Sequence, residues 1–148
     1  MTREVVILIA DDDPGHTRLI EKNLLRAGLH NPTQRFENGQ QVLDFFLQKG
    51  GGPYLKPETS YLLLLDIRMP KVDGIEVLRQ IKENPQLRKI PVIMLTTTDD
   101  PREVGRCHTL GCNNYIVKPV DYDKFADAIR NLGLFISLVE VPEINQTG

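Results

Sequence analysis

The chain has 148 residues, the size of one ordinary domain, with 18 basic and 20 acidic side chains and a formal net charge of -2. The longest block of like charge is Asp11–Asp13, which argues against a nucleic-acid or membrane surface. The N-terminal apolar run ends at those aspartates, too short for a signal peptide or a membrane span, so a cytosolic protein is expected.

That first run, Val5–Ala10, is apolar at every position rather than alternately, which predicts a strand covered on both faces. Pro14 then opens a helix whose Ile20, Leu24 and Ala27 recur at helical spacing. A weaker strand is expected at Pro32–Phe36, and Val42, Phe45 and Phe46 mark a second helix. The segment Lys49–Thr59 carries three glycines and two prolines and reads as an inserted surface loop. Three further apolar runs, Tyr61–Leu65, Ile90–Leu95 and Tyr115–Val117, predict strands. Between them lie a helix through Ile75, Leu78 and Ile81 and a shorter one over Pro101–Leu110. The last helix begins near Asp121, with a stripe through Phe125, Ile129, Leu132, Ile136 and Val139.

Strand alternating with helix in this way specifies an α/β fold, a doubly wound five-stranded parallel sheet with an extended C-terminal helix. Residues 1–131 are expected to form the domain and residues 132–148 an extension of the last helix with a tail. In the extension, Leu134, Phe135, Leu138 and Val141 are apolar residues beyond the stripe that a sheet-packed helix needs, so a homodimer through this helix and tail is expected. The competing reading is that Tyr54 and Leu55 of the long loop fold back over the same surface. Cys107 and Cys112 match neither a redox pair nor a zinc site and are read as reduced, structural thiols. His16, His30 and His108 are scattered without a ligand-like spacing and read as single surface or core histidines.

Function in a doubly wound sheet collects beyond the carboxyl ends of the strands. The first strand ends in Asp11, Asp12 and Asp13, the third in Asp66, the fourth in Thr96 and Thr97, and the fifth in Lys118 and Pro119. Crowded carboxylates repel, and a divalent cation such as magnesium resolves the repulsion with one or two direct carboxylate ligands. The same cation screens an incoming phosphoryl group, while Lys118 adds a positive charge and Thr96 a hydrogen bond. Taken singly, each residue has an ordinary structural reading: Asp12 or Asp13 as a helix cap before Pro14, which is the preferred role of Asp13, Thr96–Thr98 as strand-end chemistry, Lys118–Pro119 as a turn. Their coincidence at successive strand ends favours a phosphoryl site with Asp66 as the nucleophile.

The stretches IADDDP, LLLLDIRMPKVDG, IPVIMLTTT and NYIVKPV, in this order and spacing from about Glu4 to Ile129, resemble the receiver domains of two-component response regulators. The resemblance implies a flavodoxin-like strand order 2-1-3-4-5. It implies Asp11 and Asp12 as the acidic pair, Asp66 as the phospho-acceptor, Thr96 as the switch hydroxyl and Lys118 as the phosphate-binding lysine. It further implies a metal contact from the backbone carbonyl of Arg68, a cis peptide before Pro119, and Tyr115 as an aromatic that moves between outward and inward positions. Magnesium is the implied cofactor, with manganese or calcium able to substitute. The partners implied are a sensor histidine kinase that supplies the phosphoryl group and a possible phosphotransfer protein.

The long loop, the tail and the VKPVDYDKF stretch also resemble small regulators partnered with bacterial phytochrome kinases. With no DNA-binding module after Val141, output through protein contacts is expected, and no enzymatic activity of its own. Arg68 and Thr98 border the expected path of a hydrolytic water. Three rivals compete. A flavin-binding electron carrier needs a phosphate cradle where Asp11–Asp13 stand. An aspartyl-phosphate hydrolase needs a second acid near the nucleophile, where Ile67 and Arg68 stand instead. An interaction module that is never phosphorylated leaves the complete residue set unexplained.

Overall fold

Five strands, β1 (Val5–Ala10), β2 (Thr33–Phe36), β3 (Ser60–Leu65), β4 (Val92–Thr96) and β5 (Asn114–Val117), alternate with five helices, α1 (Pro14–Arg26), α2 (Gly39–Leu47), α3 (Gly74–Glu83), α4 (Pro101–Leu110) and α5 (Tyr122–Leu138). The computed structural model describes residues 5–119 and 121–138, with side chains through residue 133 apart from that of residue 122. The strands form one sheet in the order β2-β1-β3-β4-β5. Every neighbouring pair is parallel.

Two-sided burial explains the continuous apolar runs. Ile7 and Ile9 of β1, Leu62 and Leu64 of β3, and Ile93 and Leu95 of β4 pack with Ile20 and Leu24 of α1 and Phe125, Ile129 and Leu132 of α5. The alternate residues Leu8, Leu63, Leu65 and Met94 face the opposite way, onto Val42 and Phe46 of α2, Leu78 and Ile81 of α3, and Cys107 of α4. Burial of Cys107 pushes its thiol up to about 11, as expected of an inert structural cysteine.

The helices start where side-chain caps allow. Asp13, Asn38, Asp73 and Asp100 each accept a hydrogen bond from a backbone N–H of the first turn. Strand β4 begins at Val92 rather than at Ile90, because the Ile90 N–H closes a turn onto the Leu87 carbonyl and Pro91 has no N–H to offer.

The loop at 49–59 contains no helix or strand, as its composition predicts. It is anchored by Leu55, which is buried against the α2 side of the sheet, and by the Lys56 N–H donating to the Tyr61 hydroxyl (2.8 Å). Leu55 therefore lies with the cluster on the α2 side of the sheet and not with that on the α5 side. Helix α5 runs without interruption through residues 131 and 132, and a Cβ added to Gly133 would lie 2.8 Å from Ala27 Cβ, so a glycine is needed for α5 to approach the end of α1. The side chains of Leu134, Phe135, Ile136 and Leu138, and residues Val139 and Val141 altogether, lie outside the described residues.

Candidate functional site

Asp11 and Asp66 each stand one step past the end of a strand, at the point where the sheet order reverses between β1 and β3. The Asp11 N–H donates to the Phe36 carbonyl (3.1 Å) and the Asp66 N–H to the Ala10 carbonyl (3.0 Å), so the sheet ladder itself fixes both backbones. Gly74, the first residue of α3, crosses directly over this strand end: a Cβ there would lie 2.0 Å from the Asp66 carbonyl oxygen. Thr96 closes β4, and its carbonyl accepts the Lys118 N–H (2.7 Å) just beyond β5. The sequence-predicted residues thus converge from four strand ends.

Carboxylate oxygens of Asp11, Asp12 and Asp66 lie within 4.8 Å of one another, with Asp12 exposed and the other two buried. Lys118, itself buried, reaches Asp11 Oδ2 at 2.5 Å and Asp66 Oδ2 at 3.3 Å. Burial pushes the Asp11 carboxyl above the ordinary range, opposed by its hydrogen bond and charge contact with Lys118. The other Asp11 oxygen accepts the Asp13 N–H (2.9 Å), so both of its oxygens are engaged. Asp13 caps α1, accepting from the N–H groups of Gly15 (2.8 Å) and His16 (3.3 Å). Those bonds, the one from His16 first, hold its carboxyl below the usual range.

Two atoms at this rim are left wanting. Asp66 Oδ1 and Thr96 Oγ1 are among three buried side-chain polar atoms of the described residues that have no hydrogen-bond partner. A buried polar group without a partner costs about 1–3 kcal/mol, so a site holding two of them is built for something that supplies the missing contacts. Three carboxylates against one ammonium, all hard oxygen donors, fit a divalent cation.

The side chains of Arg68 and Tyr115 bond outside this cluster. The exposed Arg68 guanidinium pairs with Glu103 of α4 (2.8 Å), whose second oxygen accepts from the Thr98 hydroxyl (2.8 Å). Tyr115 is half-buried on β5, and its hydroxyl donates to the Thr98 carbonyl (2.8 Å). Burial pushes its phenol up to about 12. The peptide bond before Pro119 departs from expectation. The cis bond among the described residues is Gly52–Pro53, and Lys118–Pro119 is not cis, in keeping with the trans preference of about 0.5–1 kcal/mol at such bonds.

Sequence reasoning missed two residues. His16, on the first turn of α1, brings Nδ1 to 3.0 Å from Lys118 Nζ. Glu103, on the first turn of α4, joins Arg68 to Thr98. Both stand on first helical turns just after functional strand ends, and that position is the signal available in the sequence.

The model of the response regulator receiver domain matches residues 7–130. A solved response regulator receiver domain from Rhodospirillum rubrum shares 46% identity at a TM-score of 0.88, covering 95% of this chain and 99% of that one. The manganese-bound form of the response regulator Rcp1, a protein of Synechocystis, shares 30% identity at a TM-score of 0.83, with 93% and 98% covered. The phosphorylated cyanobacterial phytochrome response regulator RcpA shares 26% identity at a TM-score of 0.84, with 95% and 99% covered. No helix among the described residues is long and apolar enough to cross a membrane. On the match over nearly all of its described length and on these likenesses in sequence and fold, the chain belongs to the family of response regulator receiver domains.

Proposed function

We propose that Asp66 accepts a phosphoryl group from the phosphohistidine of a sensor histidine kinase, and that the kinase is of the phytochrome class. The phytochrome assignment draws on the likeness to RcpA. The observation that carries the transfer itself is the pair of unpartnered buried oxygens, Asp66 Oδ1 and Thr96 Oγ1, at a rim where the Lys118 ammonium reaches Asp66.

An Asp66 carboxylate oxygen attacks phosphorus as the phosphorus–nitrogen bond breaks, the imidazole leaves, and an acyl phosphate remains. The Thr96 hydroxyl donates to one phosphoryl oxygen and Lys118 to another, so each new charge meets a donor already in position. Asp12, Asp66 and the backbone carbonyl of Arg68 would hold magnesium directly, with manganese or calcium as substitutes. Asp11, whose oxygens are engaged by Lys118 and the Asp13 N–H, would act through water. The cation supplies charge screening for the approaching phosphoryl oxygens. Output runs through protein contacts, with a homodimer on the C-terminal helix and tail.

Intact mass after incubation with acetyl phosphate and magnesium tests the transfer. One added phosphate is expected, absent in Asp66→Asn and absent in a chelator. An adduct that persists in the Asp66→Asn variant overturns the assignment.

A further inference from the structure

We propose that His16 is a positioning residue for Lys118, acting as a neutral third acceptor that sets where the ammonium stands relative to Asp66. The proposal rests on the reading of Asp66 as the phospho-acceptor.

An ammonium has three N–H bonds and no acceptor. Lys118 Nζ has three partners: Asp11 Oδ2 at 2.5 Å, Asp66 Oδ2 at 3.3 Å and His16 Nδ1 at 3.0 Å. Because Lys118 only donates, Nδ1 must present its lone pair, which puts the ring proton on Nε2. That nitrogen faces Asp13 Oδ2 at 3.5 Å, and Asp13 is itself fixed as the cap of α1. The imidazole is held from the other side by the Phe125 ring of α5, with centroids 5.7 Å apart. Asp13, His16 and Lys118 therefore form a chain in which a capping carboxylate orients a histidine, and the histidine orients the ammonium.

The consequence lies in the distances. Both carboxylates draw Lys118 inward, while the His16 lone pair draws its third N–H outward, and the ammonium rests 3.3 Å from the nucleophile. Without that third acceptor the lysine is free to close fully onto Asp66, occupying an oxygen and neutralising the charge that must attack phosphorus. The bond to His16 has an ionised donor but an uncharged acceptor, so it is weaker than an ammonium–carboxylate pair. It is the bond that exchanges most readily for a phosphoryl oxygen as the group arrives.

The experiment compares two substitutions in the full chain with acetyl phosphate and magnesium, following phosphate addition by intact mass. His16→Leu keeps an apolar contact for Phe125 and removes the acceptor. His16→Gln keeps an acceptor, its amide oxygen. The expected result is about tenfold slower phosphorylation in His16→Leu, corresponding to about 1.4 kcal/mol, with most of the rate retained in His16→Gln and all melting temperatures close together. His16→Ala serves as the acceptor-free variant if His16→Leu does not fold. Equal slowing in the leucine and glutamine variants, or slowing in neither, overturns the proposal. A wild-type protein that takes up no phosphate overturns the reading of Asp66 instead.

Discussion

Replacing Gly74 with alanine is the sharpest test of how the backbone holds the acceptor. The added Cβ would stand 2.0 Å from the Asp66 carbonyl oxygen, 2.8 Å from its carbonyl carbon and 2.9 Å from Ile67 Cα, where ordinary contact begins at 3.4 Å. All three are backbone atoms, so no side chain can swing aside. Either α3 lifts from the sheet or the end of β3 moves. The Gly74 N–H bond to the Ile67 carbonyl (2.8 Å) stretches in both cases. Overpacking against such a rigid neighbour costs about 2–3 kcal/mol. For a domain of this length that lowers the melting temperature by about 4–12 °C. The displacement is centred on Asp66, so phosphorylation slows as well, by about tenfold or more if the carboxylate moves a substantial fraction of an ångström. Circular dichroism melts and an acetyl phosphate time course measure the two effects. Gly105→Ala is the control, because nothing lies within 4 Å of a Cβ there and the site is the interior of α4. That change is expected to stabilise by about 0.5–1 kcal/mol and to leave phosphorylation unaltered. A Gly74→Ala protein that melts and reacts like the wild type refutes the packing argument.

Glu76 is held at about 2 by its side-chain hydrogen bond with Arg79 and then by Gln80, so its contribution is present above the unfolded value of 4.5 and is lost as pH falls through about 2. The pair is partly exposed, so the effect is under about 1 kcal/mol, and Glu76→Gln should flatten the fall of the urea midpoint between about pH 5 and pH 3. Glu103→Gln should change stability by less than about 1 kcal/mol yet lengthen the acyl phosphate half-life, because Arg68 is released to turn toward the phosphoryl group. A half-life equal to that of the wild type refutes this. Light scattering should give a dimer mass for the intact chain and a monomer after truncation at Asn131 or for Phe135→Asp, whereas a monomeric intact chain at micromolar concentration refutes the dimer.

The central strands and the strand-end residues were legible because each depends on local pattern alone. A run such as Leu62–Leu65 is apolar throughout because both faces are covered, and the residue after it must stand at the sheet's carboxyl edge. Asp11, Asp66, Thr96 and Lys118 inherit their convergence from that rule. His16 and Glu103 do not. Which way a first-turn side chain points depends on how the helix lies on the sheet, and that orientation is set by contacts distant in sequence, such as Phe125 for His16. The start of β4 was misplaced at Ile90 because hydrophobicity continues through a turn closed by a backbone bond to Leu87. The buried place of Leu55 was likewise hidden, since a loop rich in glycine and proline gives no periodicity from which to assign a face.

The tether around Thr98 indicates how the proposed transfer would reach the surface. Thr98 is bound through its hydroxyl to Glu103 and through its carbonyl to Tyr115, and it lies two residues beyond Thr96. Were the Thr96 hydroxyl to turn to a phosphoryl oxygen as proposed, a shift of the segment after β4 would strain both bonds together. The bonds at stake are modest: the neutral Tyr115–Thr98 bond contributes about 0.5–1.5 kcal/mol, the Thr98 bond to the Glu103 carboxylate about 1.5–3 kcal/mol, and the exposed Arg68–Glu103 pair about 0–1 kcal/mol. The bonds gained at the phosphoryl group, from Thr96 and Lys118, are charge-assisted and contribute about 1.5–3 kcal/mol each. Gain and loss are of the same order, so the proposed transfer is expected to shift a population between two states, releasing α4 and the Tyr115 ring in part of the molecules. A tether this weak predicts that the unphosphorylated chain samples the released form and that phosphorylation selects it, which relaxation-dispersion NMR on the unphosphorylated chain would check.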